Sequence, residues 1–357
     1  MAYSTISKPS LHFDNKTYLG SSNAVTVSGL GFQPDWVWVK DRDNGNEHCL
    51  VDAVRGVGKY LRSNNDGAEI NNSSQSISAF TSDGFTTGTA NPANESGSTT
   101  LGFISWNWKA NGAGSSNSDG STASTVSVNT TAGFSIVSYT GTGSATTVGH
   151  GLGVAPGVVI VRNRNTNSLN WRVYHHKSAG QPAHKHLALE STQALGDAQS
   201  VFNDTEPTST VFSVANDDGS NKSSSPMIAY CFAEKKGYSK FGAYNGNGNV
   251  NGNFLYTGFK PAWFIQKRTD NAGNWAIFDN LRANPFNEIT ACLEANQYNV
   301  EQNNTGFNDV DFLSNGIKIR EDNGDLNTAG GHYIYMAFAE EPLVANVGAN
   351  GVPATAR

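Results

Sequence analysis

The chain is short of cysteine, charge, long apolar runs and helix-forming stretches, and each shortage closes off a class of protein. Cysteine occurs only at positions 49, 231 and 292 of 357 residues. An odd number at unrelated spacings is not a disulfide framework and points to synthesis in a reducing compartment. Charged residues make up 15 %, with a net charge of −6. A nucleic-acid binder needs a basic stripe to displace counterions, and none is present. The longest apolar runs, around Val158–Val161 and Ile334–Ala339, fall far short of a membrane span, so no membrane insertion is expected. Met1-Ala-Tyr-Ser-Thr-Ile6 opens without an apolar stretch, so no secretory leader is expected.

What the chain does have is glycine, asparagine and aromatic residues. There are 38 Gly, and asparagine outnumbers Lys plus Arg, which total 24. The surface is therefore polar through amides and hydroxyls, which suits β-structure with many tight turns. With 7 Trp, 12 Tyr and 18 Phe the chain carries more aromatic surface than a disordered segment would.

The aromatic residues fall in a pattern that occurs three times. A Gly-x-x-Pro step leads into an apolar strand and a basic residue at Gly31–Arg42, Gly153–Arg164 and Gly258–Arg268. An aromatic strand closes each unit at Ile104–Trp108, Ile228–Phe232 and Ile334–Phe338. The prolines (Pro34, Pro156, Pro261) and the isoleucines drift together by the same period. Asn170-Trp-Arg-Val-Tyr-His175 matches Asn274-Trp-Ala-Ile-Phe-Asp279, with a looser copy at Glu47–Asp52, and Arg55 and Arg282 each follow their aspartate by three residues. Arrays of similar modules usually present surface rather than house one reactive pocket.

Trp36–Val39 and Val158–Val161 read as buried strands. Thr210–Val214 and Gly316–Arg320 alternate and read as strands with one wet face. Asp83-Gly84, Asn315-Gly316 and Asn323-Gly324 read as hairpin turns. Leu187–Ala198 has the best helical composition, and Ile289–Gln297 suits a short helical turn. The expected fold is all-β, with three tandem related β-sandwich repeats of jelly-roll or lectin-like type and little helix. The boundaries are repeat 1 at 1–112, a Gly/Ser/Thr-rich linker at 113–132, repeat 2 at 133–236, repeat 3 at 237–340 and an extended tail at 341–357. A single three-fold trefoil or prism is the rival, and units of this length argue against it.

Candidate chemistry is sparse. No G-x-S-x-G and no H-E-x-x-H occurs, and Gly56-Val-Gly58-Lys59 lacks the rest of a phosphate loop. His175, His176, His184 and His186 cluster, and His184-Lys-His186 on a strand would put two imidazoles on one face for a metal. Asp41–Glu47 and Glu321–Asp325 could supply oxygens to calcium, although turn capping explains them more simply. The pairs Asp52/Arg55 and Asp279/Arg282 could serve sugar binding or hydrolysis, but repetition between modules favours a buried ion pair. Trp36, Trp38, Trp171 and Trp275 could stack on sugars or fill the core. The balance gives no catalytic, cofactor or metal residues and no enzyme.

Several segments resemble a known family: Gly31–Lys40, Asp52–Gly56, Ser105–Gly112, Gly133–Gly143, Gly149–Gly153, Tyr335–Glu340 and the opening Lys8–Phe13. They are similar to repeat-bearing virion structural or tail-fibre proteins of tailed phages of marine bacteria, cyanobacteria included. The resemblance covers nearly the whole chain and implies a virion component made in the host cytoplasm. It implies no catalytic residues. Relatives often carry such repeats behind longer modules, whereas this chain starts on a unit, so no shaft is expected ahead of it. The expected function is a tail-fibre or receptor-binding adhesin, a homotrimer that contacts other virion proteins and a host surface glycan. A capsid decoration, knob or tail-wall protein and an envelope polysaccharide-degrading enzyme are the alternatives.

Overall fold

Three copies of one strand order build the molecule. The structure, a computed structural model, describes residues 4–282, 287–303, 306, 308–347 and 350–353. Strand takes 41 % and helix 4 %, which makes the fold all-β as expected. In the first unit four antiparallel strands lie in the order Phe13–Tyr18, Phe103–Trp108, Trp36–Asp41, Cys49–Asp52. We call these the first, closing, proline and outer strands. The second unit repeats the order with Phe134–Thr140, Pro226–Phe232, Val158–Asn163 and Arg172–His175. The third repeats it with Ser239–Asn245, His332–Pro342, Phe259–Arg268 and Trp275–Asp279. Pro34 and Pro156 stand just ahead of their strands. Pro261 lies inside its own, where the register shifts on both sides of it and a missing N–H is tolerated.

A smaller sheet covers one face of each main sheet. It is formed by Thr26–Val27, Gly84–Thr87 and Ile77–Thr81 in the first unit, and by Thr146–Gly149 and Val211–Val214 in the second. In the third it is formed by Phe254–Tyr256, Gly316–Ile319 and Val310–Leu313. Each pair of sheets encloses its own core, such as Val37, Val39, Val51, Phe85 and Phe103 in the first unit.

The opposite faces of the three main sheets meet one another. Trp36 and Trp38 alternate with Val37 and Val39, and Trp106 and Trp108 with Ser105 and Asn107, so the four indoles point the other way, into a core shared with Phe134, Tyr230 and Phe232 of the second unit and Trp263, Trp275 and Phe338 of the third. Trp108, Phe232 and Phe338 hold equivalent places on the closing strands. Their ring centroids are 6.4, 5.7 and 5.9 Å apart, a nearly equilateral triangle about a pseudo-three-fold axis. The main sheets thus stand like the sides of a prism, each carrying a sandwich of its own. Units of this length fit such an arrangement because each main sheet also carries a smaller sheet and a core of its own.

Other expectations need correction. Residues 113–132 are not a linker: Ser115–Asn117 and Ser124–Asn129 are strands that extend the second main sheet beyond its first strand. Val126 and Val128 supply the apolar alternation that the Ser/Thr-rich composition hid. Leu187–Ala198 is not helical but lies in loops around the short strand Gly196–Asp197, and Ala291–Glu294 is a strand. The Asn315-Gly316 turn joins paired strands as read, whereas Asn323-Gly324 connects strands of different sheets. The tail opens on the end of the last closing strand, then folds back as the hairpin Val344–Val347 and Asn350–Pro353.

Candidate functional site

The repeated Asp/Arg pairs are buried and tie the units together. Arg55 Nε meets Asp52 at 2.5 Å, and its Nη2 donates to the Leu50 carbonyl at 2.8 Å. Arg282 does the same with Asp279 at 2.6 Å and the Ile277 carbonyl at 2.8 Å. Glu69 and Glu301 accept from the remaining guanidinium nitrogens, at 3.0 and 3.1 Å. All four side chains of the two pairs are fully enclosed. Each outer strand ends on a residue that also reaches the next unit. Tyr230 of unit 2 donates to Asp52 at 2.8 Å, and Trp106 of unit 1 donates to Asp279 at 2.8 Å. His175, the equivalent residue of unit 2, lies 3.1 Å from the Tyr335 carbonyl of unit 3. The bonds run around the axis in a ring.

A second ring runs the other way from the start of the same strands. Trp171 donates to the Arg62 carbonyl of unit 1 and Trp275 to the Ala188 carbonyl of unit 2, both at 2.9 Å. His48 sits in the equivalent place in unit 1. Its Nδ1 accepts from Trp38, so its Nε2 is the donor, 3.1 Å from the Glu294 and Gln297 carbonyls of unit 3. Burial holds His48 neutral, far below the ordinary histidine range.

A third ring is made of cations. Lys40, Arg162 and Lys267 pair with Ile104, Ile228 and Ile334, so they share one register position, and all three are fully buried. Lys40 donates to the Tyr298 carbonyl of unit 3 and Lys267 to the Thr192 carbonyl of unit 2, each at 3.2 Å, and Arg162 donates to the Gly67 carbonyl of unit 1. Burial pushes Lys40 and Lys267 down to about 8 and Arg162 to about 10. The sequence reading missed these residues. The signal was there, a basic residue following each proline strand, but only the sheet register shows that the three are equivalent.

The other candidate residues do not form a site. All seven tryptophans, Trp36, Trp38, Trp171 and Trp275 among them, lie in the shared core, so the stacking reading gives way to the core reading. Burial pushes His175 down to about 3 and His186 to about 4. His176 Nε2 lies 3.0 Å from the Phe241 carbonyl. His184 lies in a 3-10 turn and pairs with Asp204, so His184 and His186 do not share a strand face. Among the described residues no three His, Cys, Asp or Glu side chains gather to hold a metal. In the Asp41–Glu47 loop, Asp41 accepts from Asp43 N at 2.9 Å, Asn44 N at 3.1 Å and Ser98 Oγ at 2.5 Å. Slight burial would raise the Asp43 carboxyl, but the N–H groups of Gly102, Leu101 and Thr100 hold it below its usual range. In the Glu321–Asp325 loop, Asp325 accepts from Asn274 N at 2.8 Å and so orders the start of the last outer strand. These carboxylates fix turns.

Accessible concave surface lies elsewhere. A cleft of about 540 Å³ opens where unit 2 passes into unit 3, between Glu234, Lys236, Ser239 and Lys240 on one side and Tyr256, Thr257, Gly258, Leu343 and Val344 on the other. Glu234 accepts from Phe241 N at 2.6 Å and from Lys240 at 3.1 Å, so its carboxylate is held by the fold. A shallower hollow of about 340 Å³ on unit 2 is lined by Ser116, Ser124, Thr125, Ser138, Tyr139 and Thr140, of which Tyr139 turns its hydroxyl inward to the Ser220 carbonyl.

A family model described as Domain of unknown function (DUF7483) matches residues 8–342. The chain belongs to this family. The DUF7483 match starts just before the first strand and stops at Pro342, the last residue of the final closing strand, so the family's unit is the whole three-part body. No curated protein and no solved structure matches the chain.

Proposed function

We propose that this DUF7483 protein is a non-catalytic structural protein of a tailed-phage particle, a tail-fibre or receptor-binding adhesin that meets the host envelope. One observation carries the non-catalytic part. The ionisable residues that recur between units, Asp52/Arg55, Asp279/Arg282 and Lys40/Lys267, are enclosed and bonded across or within units, where no substrate reaches them. What faces outward is loop and small-sheet surface rich in amides and hydroxyls, which suits weak polar contacts multiplied by copy number. The resemblance of Gly31–Lys40, Ser105–Gly112 and Tyr335–Glu340 to marine phage virion proteins supplies the setting. In this reading the chain is assembled on the virion as a homotrimer beside other virion proteins.

The test is direct. Antibody to the chain should label tail structures of phage particles, and purified protein should bind host cells in competition with host surface polysaccharide. Labelling over the icosahedral shell would replace this reading with a capsid decoration. Release of reducing ends from the polysaccharide would replace it with a hydrolase.

A further inference from the structure

The three units share one strand order but differ on their outer faces, and one such difference is aromatic. On the small sheet of unit 3, Phe254 and Tyr256 flank the inward Leu255 and are 45 % and 59 % exposed. Residues two apart on a strand share a face, with their Cα atoms about 6.6 Å apart. The pairing register places Val27, Val148 and Leu255 at one position, facing Phe85, Phe212 and Ile317. Phe254 therefore stands where the other units have Thr26 and Thr147, and Tyr256 where they have Ser28 and Gly149. Two units carry small side chains there, and one carries two rings.

Both rings lie on glycine. A Cβ on Gly316 would fall 2.8 Å from the Phe254 ring, and a Cβ on Gly258 would fall 3.5 Å from the Tyr256 hydroxyl. Gly258 also has φ +80°, which excludes most other residues. The glycines let the rings lie close to the sheet. Asn315, whose carbonyl accepts from Thr257 N at 3.0 Å, holds the adjoining turn against the Tyr256 end of the strand. Beyond Tyr256 the surface drops into the cleft of about 540 Å³, where Ser239 and the Lys240–Glu234 pair add polar and charged groups, while the Thr257 hydroxyl donates inward to the Phe259 carbonyl. That volume is in the range of small-ligand sites.

We propose that Phe254, Tyr256 and this cleft form a binding site for a neutral oligosaccharide. An exposed aromatic strip takes the C–H face of a sugar ring. The exposed Tyr256 hydroxyl and the paired Lys240 and Glu234 offer both donors and acceptors for sugar hydroxyls. A protein partner of ordinary affinity would need a wider apolar surface than two rings. The proposal deepens the adhesin reading by naming its contact site, and it rests on that reading for its biological role.

The test uses the full chain and a panel of neutral oligosaccharides, namely maltoheptaose, cellohexaose and mannohexaose, together with neutral oligosaccharides released from the host envelope, in saturation-transfer NMR and titration calorimetry. At least one should bind. Tyr256→Ala and Phe254→Ala should each weaken it by about tenfold, Tyr256→Phe should retain it, and melting temperatures should stay unchanged. Tryptophan emission should not move on binding, since every tryptophan is in the shared core. Failure of every sugar to bind, or binding that survives both alanine variants, overturns the site. Host-cell attachment by the purified chain separates the two proposals. Attachment that persists in Tyr256→Ala leaves the adhesin reading standing and removes this site. Sugar binding without any attachment leaves the site standing and removes the adhesin reading.

Discussion

The core shared by the three units and the private core inside each unit are built differently. The private cores hold aliphatic residues with Phe and Tyr, and each belongs to one sandwich. The shared core holds all seven tryptophans and is surrounded by buried ion pairs, histidines and cations that bond from one unit to the next. Trp36, Trp108 and Trp263 even keep indole N–H groups without a hydrogen-bond partner there. A private core needs only enough apolar volume. The shared core must also fix how three sheets meet, and directional bonds do that where apolar contact alone would not.

The comparison breaks most sharply at the axis. Trp108→Ala should cost about 5 kcal/mol, and because its ring touches both Phe232 and Phe338 it should speed amide exchange in all three units together. Phe85→Ala, in the private core of unit 1, should cost about 4 kcal/mol and loosen unit 1 first. Hydrogen-exchange mass spectrometry distinguishes the two patterns. Equal, whole-molecule loosening by both variants would mean that the two kinds of core are not separable.

Removing one partner of a bonded charge comes next. Arg282→Leu should destabilise by about 3–5 kcal/mol in a denaturant titration, because Asp279 is left buried without its cation while Glu301 keeps only Arg42. Double replacement that also neutralises Asp279 should recover part of the loss. No recovery would mean that packing rather than charge sets the effect.

The buried lysines give a pH test. Lys40 falls from the usual 10.5 to about 8 through burial. Between those values the unfolded chain binds more protons than the folded one, so stability conferred at this site rises with pH. Relative to Lys40→Met, the wild type should gain up to roughly 3 kcal/mol between pH 7.5 and 10.5. A flat difference across that window would show that the amine is solvated or carries its charge at no penalty. The smallest effect belongs to the outer surface, where Tyr256→Ala should shift folding stability by under about 0.5 kcal/mol.

Much of this contrast was present in the sequence without being legible as such. Trp36-Val-Trp-Val39 is apolar at every position, the pattern of a strand covered on both faces. Tryptophans on one parity and valines on the other already separate the two cores. The repeat and the strands around the three prolines could be read because they are local. The rings of bonds could not, since they join residues such as Asp52 and Tyr230 that only the fold brings together. The strands at 115–117 and 124–129 were obscured because Ser115, Ser116, Ser124, Thr125 and Ser127 give them the composition of a loop. The aromatic strip was hidden because Phe254 and Tyr256 look like core residues until the register shows which side they take.

Unit 2 carries His175 and Ser178 where its neighbours have an aspartate and, three residues later, an arginine. Both members of the pair are exchanged together, so no lone charge is enclosed. Each copy therefore diverges under the constraint of its two neighbours, and shuffling one copy alone into another chain would break bonds on both sides. Conversely, a backbone severed between copies need not lose its shape. Fragments carrying separate units should find one another and restore the triangle at the axis, which makes the protein a candidate for assembly from split pieces.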